Sequence, residues 1–296
     1  MTLRIGTRRS PLALAQATEV AGRLRANGVD TEIVGMTTSG DRDTVVTGPA
    51  GLKGMFVAEI VRALRGGEVD VAVHSAKDLP AEDEDGLVVA AVPERASPLD
   101  VLVTREGDLP PGSVVGTSSL RRQAQILRWR PDVLLKDLRG NVDTRLGKLA
   151  GGELDAIVVA AAGLMRLGIV PEHAAPMSVS EVVPAPGQGC LAIQARADDA
   201  ATLEALAALD HAPTRTALVA ERSVMRRLGG GCALPLGAYA DVEDATVRMV
   251  VGVFTPDGAR QARTAVEADD PEEAAARAEA DLRVQGADEI LAAVRP

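Results

Sequence analysis

The segment from Gly116 to Lys148 concentrates positive charge in an otherwise acidic chain. It holds eight basic and three acidic residues, whereas the 296-residue sequence has 32 basic residues, 42 acidic residues and a formal net charge of −10. Thr117-Ser118-Ser119 is a typical N-cap sequence, so Arg121 and Arg122 fall in the first helical turn, beside the positive end of the helix dipole. Like charges there favour a bound anion, and the pattern indicates a pocket for a polyanionic small molecule. A solvated surface stripe is the alternative.

A second group of polar residues follows an apolar strand predicted over Val69–Val73. Lys77 and Asp78 lie just beyond its carboxyl end, in the run HSAKDLP. Ligands and catalytic groups of open α/β sheets gather at this edge. Asp78 is therefore either a carboxylate that stabilises cationic charge in a cleft or a surface partner of Lys77.

Cys232 lies in the run RRLGGGCALPLG, where three preceding glycines and Pro235 predict a loop. Arg226 and Arg227 are close in sequence and would lower the pKa of a nearby thiol, which favours a nucleophile or an attachment point. An inert buried thiol is the more common role for a lone cysteine. Cys190 begins a predicted strand, and we interpret it as inert.

Composition excludes several classes of function. One Trp, one Tyr and two Phe provide almost no stacking platform for single-stranded nucleic acid. The net negative charge argues against general binding of nucleic acid or a membrane surface. The three histidines have no metal-ligand spacing, so no metal site is predicted. Two cysteines without a disulfide framework, and no secretory leader pattern, indicate a cytoplasmic protein.

Short apolar runs alternate with helical stretches, which is the pattern of a parallel α/β sheet. Helices are predicted to begin at Ser10, near Gly54, at Ser118 or Ser119 and at Asn141, and the first to end at Gly28. Candidate strands are Leu3–Ile5, Thr31–Gly35, Val69–Val73, Leu87–Val92, Val101–Val103, Ser113–Val115, Val133–Lys136 and Ala156–Val159.

Two internal similarities indicate a duplicated architecture. GGEVDVAV at 66–73 resembles GGELDAIV at 151–158, and the strand–Gly-Thr–helix pattern at 6–17 recurs at 116–127. Chance similarity between common α/β turns is the alternative. The repeats favour two related doubly wound α/β domains, resembling periplasmic binding proteins, whose helix starts face one cleft.

The Pro/Gly-rich runs PERASP and PAPGQG are typical of paired crossings between such domains. After His211 the pattern changes to two alternating strands, at 246–254 and 260–268, joined by a Pro-Asp-Gly turn at 256–258. A helix capped by Asp270 and ending at Gly286 completes a small α+β domain. The predicted domains are 1–93 plus about 190–208, 98–184, and 212–296.

Several long motifs, in order, resemble the porphobilinogen deaminase (hydroxymethylbilane synthase) family over essentially the whole chain. They are TRRSPLALAQ (7–16), LKGMFVAEI (52–60), AVHSAKDLP (72–80), VGTSSLRRQ (115–123), LRGNVDTRLGKL (138–149), PGQG (186–189) and LGGGCALPLGAY (228–239). The sequence departs from the family pattern at Leu52, Met55 and Ala58, and at Leu99, where an arginine is usual.

The resemblance implies a transferase of tetrapyrrole (heme and porphyrin) biosynthesis. Such enzymes join four molecules of porphobilinogen head to tail with release of ammonia, and then add water to free the linear tetrapyrrole hydroxymethylbilane. It implies a dipyrromethane cofactor, bound through a thioether to Cys232, which replaces the inert-thiol interpretation. It also implies a monomer. A two-domain receptor for small anions, without catalysis, is the alternative function.

The resemblance also implies a role for each matching residue. Asp78 is the catalytic aspartate, placed to bind pyrrole N–H groups and stabilise a cationic azafulvene-like intermediate. Arginine suits the acetate and propionate groups of pyrroles because its planar fork binds carboxylates bidentately. The implied cofactor-binding residues are Lys77, Thr117, Ser118, Ser119, Arg121, Arg122 and Arg145. The implied substrate-binding residues are Arg8, Ser10, Arg139, Arg145, Arg166 and Gln188.

Overall fold

The computed structural model describes residues 1–36, 58–82, 84–230 and 234–294. The helix start predicted near Gly54 and the loop cysteine Cys232 lie outside the described residues. Among the described helices, none is long and apolar enough to cross a membrane.

Thirteen strands are described, numbered here along the chain. They are β1 (Thr2–Arg8), β2 (Asp30–Met36), β3 (Val71–Ser75), β4 (Leu87–Ala91), β5 (Asp100–Thr104), β6 (Val114–Gly116), β7 (Leu134–Lys136), β8 (Ala156–Ala160), β9 (Ala174–Met177), β10 (Leu191–Arg196), β11 (Leu236–Glu243), β12 (Thr246–Phe254) and β13 (Gln261–Ala268). The described helices are α1 (Pro11–Ala26), α2 (58–65), α3 (Leu120–Trp129), α4 (Val142–Ala150), α5 (Ala161–Arg166), α6 (Ala200–Ala207), α7 (Ala212–Arg227), α8 (Pro271–Val284) and α9 (Ala287–Ala292).

Two five-stranded sheets have the same topology. Their strand orders are β2-β1-β3-β10-β4 and β7-β6-β8-β5-β9. In each sheet the first three strands are parallel, and the fourth runs antiparallel to both of its neighbours. The similar segments at 66–73 and 151–158 lead into β3 and β8, which occupy equivalent positions. The predicted mixed α/β architecture with a duplicated sheet is therefore confirmed.

Helix α1 illustrates how local rules place the first sheet's elements. Ser10 is its N-cap and accepts a hydrogen bond from the Ala13 N–H at 3.4 Å, with Pro11 in the first turn. The helix stops at Ala26, and Gly28 adopts φ +80, a left-handed conformation that glycine tolerates. Val20 and other apolar residues of its inner face are buried against the sheet, and each large side chain contributes about 1.5–3 kcal/mol.

The third sheet is antiparallel, in the order β11-β12-β13, and helices α7 and α8 pack on it. Asp270 caps α8 by accepting hydrogen bonds from the N–H groups of Glu272 and Glu273, both at 2.9 Å. The predicted turn at 256–258 joins β12 to β13. The last predicted helix, α8, ends at Val284, and Gly286 lies just past it at φ +87, which is the left-handed glycine predicted at its C-terminus. The short helix α9 that follows Gly286 was not predicted.

Several strand boundaries differ from their predictions by one to three residues, and the difference at β3 affects the site. The structure places β3 at Val71–Ser75 instead of Val69–Val73, because the Asp70 N–H bonds the Arg4 carbonyl before the ladder begins. The shift of two residues carries His74 into the strand and leaves Lys77 and Asp78 in a 3₁₀ turn, Ala76–Asp78, directly after it.

Candidate active site

The turn that carries Lys77 and Asp78 is held by backbone hydrogen bonds. The Leu79 N–H donates to the Ala76 carbonyl at 3.2 Å, and the Ala76 N–H donates to the Cys190 carbonyl at 3.0 Å. Asp78 is half-buried at the carboxyl end of β3. The sheet therefore presents a carboxylate at the edge where ligands of α/β folds bind.

Lys77 connects this turn to the second crossing between the two α/β units. Its Nζ lies 3.3 Å from Oε1 of Gln188, which is completely buried. The Gln188 Nε2 donates to the Pro98 carbonyl at 2.7 Å and to Oδ1 of Asp100 at 2.9 Å. Gln188 thus links the first crossing to the turn that carries Lys77 and Asp78, and its predicted role in substrate binding stays a prediction.

The two crossings touch each other so closely that one position needs glycine. Gly189 adopts φ +89, and a Cβ there would lie 2.4 Å from the Ala96 carbonyl oxygen. The Ala96 N–H also donates to the Gly189 carbonyl at 3.3 Å. The PGQG motif therefore allows the two crossing segments to pack side by side, next to the turn that carries Lys77 and Asp78.

Arg121 and Arg122 form a buried cluster with Asp100. Arg121 Nη1 donates to Asp100 Oδ2 at 2.7 Å, and Arg122 donates to Oδ1 through Nε at 3.0 Å and through Nη2 at 2.7 Å. Burial opposes ionisation of Asp100, but the two guanidinium groups outweigh it and hold its pKa well below the usual range. We call Asp100, Arg121, Arg122 and Gln188 the Asp100 cluster.

This cluster corrects one step of the sequence argument. Asp100 balances one of the two positive charges at the start of α3, so the cluster carries one net positive charge where the sequence predicted two. No local pattern predicts this pairing, since Asp100 and Arg121 are 21 positions apart. The predicted role of both arginines toward cofactor carboxylates stays a prediction.

The start of α3 keeps hydrogen-bonding capacity for a ligand. The Thr117 hydroxyl accepts from the Ser119 N–H at 3.3 Å, and the Ser118 hydroxyl accepts from the Leu138 N–H at 3.0 Å. Ser119 is the N-cap, as predicted, but its side chain makes no capping hydrogen bond. The first turn of α3 therefore lacks the side-chain acceptor that usually covers it.

Arg145 has no carboxylate partner among the described residues. It lies half-buried on α4, and its Nε donates to the Gly140 carbonyl at 2.8 Å. Burial and the nearby charge of Arg122 lower the pKa of Arg145 to about 10, so it stays cationic at neutral pH. Arg139 is exposed in the loop before α4.

The remaining predicted residues lie on the first sheet and at the domain crossing. Arg8 is the last residue of β1, and Ser10 caps the helix that follows. Arg166, at the end of α5, donates to Glu19 Oε2 and to the Gly189 carbonyl, both at 3.1 Å. It therefore bridges the second α/β unit to α1 and to the crossing.

Sequence reasoning missed a buried ion pair that ties the third sheet to the crossings. Glu221 of α7 is fully buried and accepts from Arg95 Nη1 at 2.6 Å, from the Gly187 N–H at 2.6 Å and from the Ala240 N–H at 2.7 Å. One signal was available, since Glu221 interrupts the apolar stripe of α7 between Ala217 and Val224.

His74 makes the free energy of unfolding depend on pH. Burial lowers the pKa of His74 from 6.5 to about 4, although the Asp78 carboxylate opposes the shift. Between these values only the unfolded chain binds the proton, so stability falls as pH falls, by about 1.4 kcal/mol per pH unit. We expect His74→Asn to lack this part of the slope in denaturant unfolding at several pH values. Equal slopes in both proteins would contradict a buried neutral His74.

Comparison with known proteins identifies the family. The model of "Porphobilinogen deaminase, dipyromethane cofactor binding domain" matches residues 3–204, and that of "Porphobilinogen deaminase, C-terminal domain" matches residues 216–283. The chain belongs to the porphobilinogen deaminase family. It is 46% identical to the porphobilinogen deaminase of Brevibacillus brevis, over 98% of this chain and 97% of the relative. It is also 46% identical to that of Thermus thermophilus, over 98% of both chains.

One solved structure shows a distant likeness to this chain. The periplasmic VFT2 domain of BvgS from Bordetella pertussis is 16% identical, with a TM-score of 0.40 over 70% of this chain and 85% of that domain. The family matches do not favour the alternative of an anion receptor without catalysis.

Proposed function

We propose that this chain is a porphobilinogen-polymerising transferase. It joins four porphobilinogen molecules head to tail, releases ammonia at each step, and adds water to free hydroxymethylbilane. The observation that carries the proposal is the polar network from Lys77 through Gln188 to the arginines at the start of α3, next to the carboxylate of Asp78. Such a site combines the Asp78 carboxylate with several groups that can bind the carboxylates of a ligand.

The residues present fit a dipyrromethane cofactor, whose pyrroles carry acetate and propionate groups. Arg145 has no carboxylate partner among the described residues, and Ser119 offers an uncommitted hydroxyl. Arg121 uses only Nη1 in its hydrogen bonds to described residues, so its Nε and Nη2 groups can donate to a ligand. The proposed holding residues are Lys77, Thr117, Ser118, Ser119, Arg121, Arg122 and Arg145, with Cys232 as the covalent attachment. When bound, the cofactor supplies the pyrrole carbon to which the first substrate is joined.

Asp78 is the proposed catalytic residue. Loss of ammonia from porphobilinogen leaves positive charge on the pyrrole, and a fixed carboxylate stabilises that charge where it develops. The same carboxylate accepts a pyrrole N–H. Its position in a turn held by backbone hydrogen bonds allows it to act without reorganisation of the site.

The proposed substrate-binding residues hold the carboxylates of the incoming pyrrole. Arg166 is bound by Glu19 and by the Gly189 carbonyl, so its guanidinium is already oriented at the crossing. The full set of proposed substrate-binding residues is Arg8, Ser10, Arg139, Arg145, Arg166 and Gln188.

We also propose the domain division predicted from sequence, at 1–93 plus about 190–208, 98–184 and 212–296. Separate buried clusters of apolar side chains support it. Small movements at the two crossings let one site accept successive pyrroles. We propose a monomer that acts in the cytoplasm, where a reducing environment keeps the Cys232 thiol available before cofactor attachment.

Incubation of the purified protein with porphobilinogen tests the proposed function. We expect four molecules of ammonia for each linear tetrapyrrole formed. Arg145→Ala should lower kcat/KM by about tenfold to a hundredfold, because a charge-assisted hydrogen bond to a carboxylate contributes about 1.5–3 kcal/mol. Lys148→Ala removes the same charge one turn along α4 and should have little effect. Equal losses in both variants would contradict a specific role for Arg145.

A further inference from the structure

A cavity of about 230 Å³ lies between α3 and the β12–β13 hairpin, apart from the site described above. Trp129 and Phe254 contribute aromatic walls, and Arg128 and Arg263 contribute positive charge. The whole chain has only four aromatic residues, so two of them lining one cavity is a notable concentration. We call this space the hairpin cavity.

The two arginines have no acidic counter-ion in the part of the chain that the structure describes. Arg263 donates to the carbonyls of Ser180 and Val179, both at 2.8 Å, and Arg128 is exposed in the last turn of α3. Neither ion-pairs with a carboxylate of the described residues. Both guanidinium-bearing residues line the hairpin cavity, and burial together with the positive charge of Arg128 lowers the pKa of Arg263.

One carboxylate does line the hairpin cavity, but it is committed elsewhere. Glu181 Oε2 accepts hydrogen bonds from the backbone N–H and the hydroxyl of Ser178, both at 2.7 Å. These hydrogen bonds lower the pKa of Glu181 and hold its carboxylate next to Ser178. Gln125 is also committed, since its amide bonds the backbone of Val183 on both sides.

The β12–β13 hairpin packs tightly on α3, so the walls of the hairpin cavity are held in place. A Cβ at Gly258 would lie 2.4 Å from the Ala124 carbonyl oxygen and 2.9 Å from the backbone nitrogen of Arg128, which shows how closely the turn packs on the helix. Paired guanidinium groups bind carboxylates, and an exposed indole stacks on a flat ring.

We propose that the hairpin cavity binds a small planar aromatic anion that carries two carboxylates. One carboxylate meets Arg128 and the other meets Arg263, while the ring lies against Trp129. This site is distinct from the active site and does not depend on the proposed function.

Titration with benzene-1,3-dicarboxylate tests the proposal. Trp129 is the single tryptophan, so its fluorescence reports on the cavity directly, and calorimetry measures the same binding independently. We expect saturable binding with a Kd below about 1 mM, weakened about tenfold in Arg128→Ala. Arg128 is exposed, and its removal leaves the fold intact.

The controls separate this site from other sources of binding. Arg248→Ala removes an exposed arginine of the same sheet and should bind as the unaltered protein does. Arg145→Ala should also keep the Trp129 response, since Arg145 belongs to the active site. Absence of both heat and fluorescence change up to about 10 mM would overturn the proposal. So would equal affinity in Arg128→Ala, or equal binding of the uncharged benzene-1,3-dicarboxamide.

Discussion

Replacing Asp100 with alanine is expected to lower the free energy of unfolding by about 3–5 kcal/mol. Asp100 is completely buried and accepts four hydrogen bonds from Arg121, Arg122 and Gln188, at distances between 2.7 and 3.0 Å. Removing the carboxylate leaves two buried guanidinium groups without a counter-ion, and the cost of that uncompensated charge dominates the effect. Urea unfolding of the variant beside the unaltered protein measures the difference.

Asp132→Ala is the matched control. Asp132 pairs with Arg130 through two short hydrogen bonds, just after the same helix, but on an exposed surface. An exposed ion pair is screened by water, so the loss of stability should be far smaller. Similar losses in the two variants would contradict the assignment of Asp100 as the essential counter-ion of the Asp100 cluster.

Replacing Asp78 with asparagine is expected to lower kcat by about a hundredfold or more, because one preorganised group aimed at developing charge contributes on this scale. Asparagine keeps the size of the side chain and removes the negative charge. The backbone hydrogen bonds of the turn do not involve the carboxylate, so the variant should fold. Steady-state turnover of porphobilinogen measures the change.

Glu82→Gln provides the comparison for Asp78. Glu82 is an exposed carboxylate four residues further along the chain, and its neutralisation should leave turnover nearly unchanged. Near-normal turnover of Asp78→Asn would refute the catalytic assignment. A general loss of folded protein in Asp78→Asn, seen by thermal unfolding, would instead assign Asp78 a structural role.

Local rules explain which parts of the fold were predictable. Ser10 and Asp270 were identified as helix caps because the residues that they bond lie within three positions. The hairpin turn at 256–258 and the duplicated sheet were likewise visible, since turn residues and strand periodicity are local signals. The boundary of β3 could not be predicted in this way, because a contact between the distant residues Arg4 and Asp70 decides where its ladder begins.

Contacts between residues far apart in sequence explain which features of the site could not be predicted. Arg95 meets Glu221 across 126 positions, and no local pattern links them. The charge at the start of α3 was found from sequence, but its partner Asp100 was not. Cys232 shows the opposite case, because its surroundings alone did not separate a reactive thiol from an inert one, and the family resemblance did.

The intact mass of the freshly purified protein tests the central claim most directly, because it reports on cofactor attachment itself. We predict a mass above that of the sequence by one dipyrromethane, retained in Cys190→Ala and absent in Cys232→Ala. Cys190 is the matched control because it is buried, with a thiol pKa that burial raises to about 12. An unmodified mass in protein that turns over porphobilinogen would contradict the account.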